Sequence, residues 1–151
     1  MHFRRFSVLL LAVLLPWGAR AQFSSLGSEP ASTRWSAFRT QDYELIYPRG
    51  LDSLASVYGR LLQQYRIPVS RSAGYLPNQQ YRRPMPVVLH TQTGYSNGAV
   101  IWAPRRMDLF TVPDAYGQLS SMPWAQMLAI HENRHVAQLQ FSSSGFWSGF
   151  R

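Results

Sequence analysis

The segment Ala129-Ile130-His131-Glu132-Asn133-Arg134-His135-Val136-Ala137-Gln138 limits what this chain can fold into more than any other. Apolar residues flank an H-E-x-x-H pattern, which predicts a helix from about Pro123 to Phe141. Residues four apart on a helix lie one turn apart on the same face. His131 and His135 can therefore reach a single metal ion. Zinc takes nitrogen ligands in tetrahedral geometry. Glu132, beside the first histidine, can aim its carboxylate at a water on that metal. Zinc lowers the pKa of such a water to about 7, and a carboxylate can then take its proton. A plain core helix explains the pattern poorly, because histidine and glutamate are costly to bury without partners.

Composition narrows the setting. The chain has 151 residues, enough for one domain. Met1-His2-Phe3-Arg4-Arg5, an apolar run from Phe6 to Leu15 and then Ala19-Arg20-Ala21 read as a secretory signal peptide cut after Ala21. Phe6-Ser7 fits twin-arginine export poorly, so the general secretory route is expected. That places the mature protein in the periplasm, at the cell surface or outside the cell. Nothing after Ala21 is apolar for long enough to span a membrane. There is no cysteine, so a metal must be held by histidine and carboxylate. The net charge of +8 comes entirely from arginine and falls to +5 once the leader's three arginines are removed. The remaining arginines are scattered, whereas a nucleic-acid binder concentrates them on one stripe, so no nucleic-acid partner is expected.

Residues 22–34 are rich in Ser, Gly and Pro and read as a loose lead-in. Trp35 to Phe38 should pack back onto the domain. Asp42 to Tyr47 reads as a strand ended by Pro48. Leu51, Leu54, Tyr58, Leu61, Leu62 and Tyr65 recur at spacings of three and four, which predicts a helix from Asp52 to Arg66, with Pro68 just past its end. Met85 to His90 is a short apolar strand suited to the inside of a sheet. Thr91 to Gly98 has turn chemistry. Ala99 to Ala103 and Met107 to Val112 are two further strands, and Ser142 to Gly145 should stop the histidine helix. The expected fold class is α+β: a small mixed sheet, helices on one side, and residues 35–141 as the folded unit. Met107, Leu109 and Thr111 would then line an edge beside the histidine helix, where an extended peptide can pair by backbone hydrogen bonds.

H-E-x-x-H is the zinc-and-base constellation of metallopeptidases. The order of elements resembles the start of the gluzincin catalytic domain. More closely, the chain resembles secreted bacterial proteins with a gluzincin-like peptidase domain, often followed by a β-propeller-like region. Tyr43-Glu44-Leu45-Ile46-Tyr47-Pro48, Pro86-Val87-Val88-Leu89, Ser96-Asn97-Gly98, Ala103-Pro104-Arg105-Arg106 and His131 to Gln138 carry the likeness. It covers roughly residues 35–141, and H-E-x-x-H is its one specific motif. The resemblance implies Zn2+ on His131 and His135, Glu132 as general base, and a peptide or protein substrate. It also implies a third ligand, a glutamate on a later helix.

Here the chain departs from that pattern, because residues 136–151 hold no Asp, Glu or His. Gln138 and Phe141 also exclude the longer H-E-x-x-H-x-x-G-x-x-H variant. Three readings stay open. Residues 142–151 lead into a missing C-terminal part that supplies the ligand, and this portion is inactive alone. An upstream residue, Asp108, Asp114, His90 or Glu44, completes the site. Or the domain is a degenerate peptidase kept as a non-enzymatic binding module of the cell envelope. For His90 alone, a rim residue with one hydrogen bond is the expected role. The leading expectation is a zinc metallopeptidase-like domain that hydrolyses peptide bonds with a zinc-activated water.

Overall fold

A computed structural model describes residues 29–74, 81, 83–113 and 121–148. The leader lies outside the described residues. In chain order the elements are β1 (Trp35–Arg39), β2 (Tyr43–Pro48), α1 (Asp52–Ser72), β3 (Met85–His90), β4 (Gly98–Trp102), β5 (Arg105–Phe110) and α2 (Trp124–Ser148). The protein is α+β: a five-stranded mixed sheet in the order β1-β2-β3-β5-β4, with two helices among the described residues. β2, β3 and β5 run parallel, and α1 is the crossover between β2 and β3. β1 and β4 pair antiparallel at the two edges.

Alternation along the strands decides where the helices sit. Successive side chains on a strand point to opposite faces. Tyr43, Leu45 and Tyr47 share one face, as do Met85, Val87 and Leu89, and Met107 and Leu109. All eight are buried in one cluster with Ala55, Tyr58 and Leu62 of α1 and Leu128, Ala129 and Val136 of α2. Both helices therefore cover the same face. Burying each such side chain contributes roughly 1.5–3 kcal/mol, so this single layer between sheet and helices is the main source of stability. Gly59 lets α1 approach β1 closely: a Cβ there would meet Phe38 at 3.1 Å.

Several boundaries differ from the sequence expectation. Trp35 to Arg39 is a strand, not merely a packed segment. Its alternation is half-buried against exposed, so its apolar signal is weak. α1 runs through Pro68 to Ser72. Proline there removes one helical hydrogen bond, but burial of Val69 and Ser70 beyond it holds the last turn in place. β4 and β5 each start one or two residues early, around a tight turn at Ala103-Pro104. α2 continues past Ser142-Ser143-Ser144-Gly145 to Ser148. Serine and glycine each cost a helix only about 1 kcal/mol or less, too little to end it here.

The order of the last two strands is the main correction. β5 lies between β3 and β4 and is hydrogen-bonded on both sides, so Met107 to Val112 offers no free edge. Met107 and Leu109 are fully buried, and Thr111, beyond the strand, donates its backbone N–H to the His90 carbonyl. The edge beside α2 is β4.

Candidate metal centre

The start of α2 is anchored from two sides. The Trp124 indole N–H donates to the Phe110 carbonyl at 2.9 Å, and the Gln126 amide donates to the Tyr65 hydroxyl at 2.6 Å. About two turns after Trp124 the helix presents His131 and His135 outward while Glu132, Asn133, Val136 and Ala137 turn inward. The two imidazole Nε2 atoms face each other at 3.0 Å. Two nitrogens on one tetrahedral zinc stand about 3.3 Å apart, given Zn–N bonds of about 2.0–2.1 Å. The pair thus has the spacing a metal requires with little adjustment.

Glu132 completes the cluster. One carboxylate oxygen lies 4.0 Å from His131 Nε2. One ligand atom from each of His131, Glu132 and His135 lies within 4.8 Å of the others, so this group can hold a metal ion. The Glu132 side chain is only 1% exposed, and among the described residues neither of its oxygens has a hydrogen-bond partner. A buried carboxylate without a partner is costly, and burial pushes its pKa up to about 7. A bound cation reverses that logic, since its charge favours the ionised carboxylate. Burial, and secondarily the charge of His135, lowers the pKa of His131. Both effects favour the neutral imidazole, the form that binds metal.

The carboxylate lies against the backbone of β4. A Cβ added at Gly98 would stand 2.7 Å from Glu132 Cγ and closer still to the carboxyl group. Between β4 and α2 runs a cleft of about 410 Å³, lined by Gly98, Ala99, Val100, Glu132, His135, Gln138 and Leu139. Its walls are aliphatic and amide groups, apart from Glu132 and His135 of the candidate metal cluster.

The other candidate ligands go elsewhere. His90 is buried rather than on a rim: its Nε2 sits 3.2 Å from Asp108, and its ring stacks on Phe110 at 4.7 Å. Asp108 also takes the Arg106 guanidinium at 2.9 Å, and Glu44 pairs with Arg39 at 2.9 Å. Asp114 lies outside the described residues. Among the described residues no further His, Asp or Glu joins His131, Glu132 and His135. Reading the sequence missed Gly98 as part of the site. A lone glycine opening a strand signals a close backbone approach, but not which residue approaches.

No protein family, curated protein or solved structure matches the chain. The functional reading rests on the geometry. No described helix is long and apolar enough to cross a membrane.

Proposed function

We propose that this chain carries the metal-binding part of a zinc-dependent metallopeptidase domain that hydrolyses peptide bonds. The observation that carries the reading is the convergence of two outward imidazoles, 3.0 Å apart, beside a buried carboxylate with no hydrogen-bond partner among the described residues. Zinc, when bound, supplies a Lewis acid that brings the pKa of a coordinated water to about 7. His131 and His135 would hold the ion. Glu132 takes the proton of the attacking water and delivers it to the leaving amine, a role that needs a carboxyl group near neutral pKa. Its burial keeps bulk water from competing for that proton.

The outer edge of β4, which pairs with no other strand among the described residues, runs beside Glu132 and His135. An extended peptide pairing with β4 would bring a scissile bond over the metal cluster. The third protein ligand would come from outside the described residues. The leader-like start of the sequence favours action outside the cytoplasm.

Elemental analysis of the purified full chain, beside His135→Ala, tests the reading. One zinc per chain, lost in the variant, is expected. Glu132→Gln should keep zinc and lose hydrolysis of an unstructured protein substrate. A parent chain that takes up no zinc would instead favour a metal-free binding module of the cell envelope.

A further inference from the structure

α2 buries two adjacent polar side chains, Glu132 and Asn133, on a face otherwise formed by Leu128, Ala129, Val136 and Ala137. Glu132 belongs to the metal cluster. Asn133 does not, yet it is 2% exposed and bonded at both ends of its amide. The Tyr43 hydroxyl of β2 donates to its Oδ1, and its Nδ2 donates to the Leu62 carbonyl of α1 at 3.1 Å. One amide thus ties α2 to the sheet and to the other helix. A leucine could fill the space but would leave the buried Tyr43 hydroxyl without this acceptor, so the asparagine serves a polar tie and not packing alone.

Helix geometry shows what the tie controls. Each residue turns the helix by about 100°. His131 and His135, two residues before and two after Asn133, therefore point to the side of the axis opposite it. Glu132 stands about 100° away, toward β4. Pinning Asn133 from two directions fixes the rotation of α2. That rotation sets where both imidazoles and the carboxylate point.

We propose that Asn133, gripped by Tyr43 and the Leu62 carbonyl, is a positioning residue of the metal centre. The inference rests on the metal-binding reading given above. Tyr43 is itself held rigidly. Its backbone N–H donates to the Thr40 hydroxyl at 3.1 Å, and its ring meets Tyr81 edge-on at 5.9 Å. Burial keeps its phenol well above the ordinary pKa, so it remains a donor at neutral pH. A donating Tyr43 leaves the Asn133 NH2 to face Leu62. The grip therefore has one arrangement.

The test is a Co2+ titration of the full chain, with absorption as the readout, for the parent, Tyr43→Phe, Asn133→Leu and the double variant. Tyr43→Phe deletes one hydroxyl and keeps the ring, so it remains informative if Asn133→Leu fails to fold. Removing groups that orient metal ligands typically weakens metal affinity about 10–100-fold. We expect a loss of about tenfold in each single variant, a shifted visible band, and a double variant little worse than either, since both changes break the same bond. A purely structural pair would lower the melting temperature and leave Co2+ affinity and spectrum alone. Affinity within about twofold of the parent in folded Tyr43→Phe would overturn the inference while sparing the metal site. A parent chain that binds no Co2+ would overturn both.

Discussion

Gly98 of β4 and the Glu132 side chain of α2 occupy adjoining space with no room for a methyl group between them: a Cβ on Gly98 would fall 2.7 Å from Glu132 Cγ. The contact joins a strand edge to the candidate general base across 34 residues of sequence. Gly98→Ala must move the carboxylate, the strand or both. Overpacking of this kind costs about 1–3 kcal/mol. We expect a lower melting temperature, retained zinc, and peptide hydrolysis reduced at least about tenfold, because the base is displaced while His131 and His135 are untouched. Full hydrolysis in the alanine variant would show that Glu132 has another working position.

Glu132 also predicts how stability depends on pH. Burial raises its carboxyl pKa from 4.5 to about 7. The folded chain then holds this proton more tightly than the unfolded chain. In the metal-free protein the resulting penalty is absent below pH 4.5, grows between 4.5 and about 7, and is complete above that. Its full size is about 3 kcal/mol. Glu132→Gln removes it. With chelator present, the variant should be more stable than the parent near pH 8, and the gap should close as pH falls to about 4. Urea melts across that range would measure it, and a gap independent of pH would rule out desolvation of the carboxylate.

Loss of metal on acidification is expected of the proposed ligand pair, His131 and His135. Imidazole binds metal only when neutral. Partial burial and the neighbouring His135 hold the pKa of His131 below its ordinary 6.5, so protons compete less for His131 than for an isolated histidine. Zinc affinity should stay nearly flat from about pH 8 to 7 and fall steeply below about pH 6. Competition with a chromophoric chelator at several pH values checks this. His131→Ala and His135→Ala should each abolish tight binding.

How much of this was legible beforehand depends on the range of the contacts. The histidine pair is encoded within one helical turn, so H-E-x-x-H alone placed His131, Glu132 and His135 correctly on one helix. The stripe through Tyr58 and Leu62 was readable for the same reason, and both are core residues. β1 was not, because an edge strand with every second residue exposed carries little apolar signal. The placement of β5 inside the sheet was not readable either. β4 precedes β5 in sequence yet lies outside it, and no local pattern states which of two neighbouring strands takes the edge. Gly98 and Asn133 matter through contacts with distant elements, where spacing gives no hint.

The most destabilising single change we expect lies away from the candidate metal site. Asp42 is 1% exposed and accepts from three directions: the Tyr81 backbone N–H at 3.0 Å, the Gln63 amide at 2.6 Å and, more loosely, the Arg66 guanidinium at 3.4 Å. Arg66 is likewise buried, with its guanidinium 4.2 Å above the Tyr81 ring. Removing one partner of a buried ion pair costs about 3–5 kcal/mol, because the other charge stays desolvated. Asp42→Ala should reach that range by urea denaturation. Arg66→Met keeps an apolar stem but leaves the buried Asp42 carboxylate without its cation, so it should be strongly destabilising as well. Asp42 immediately precedes Tyr43, which grips Asn133, so Asp42→Ala should also weaken Co2+ binding while the chain remains folded. If Asp42→Ala lowers stability with no effect on Co2+, the Asp42 network supports the sheet alone and Tyr43 keeps its place without it.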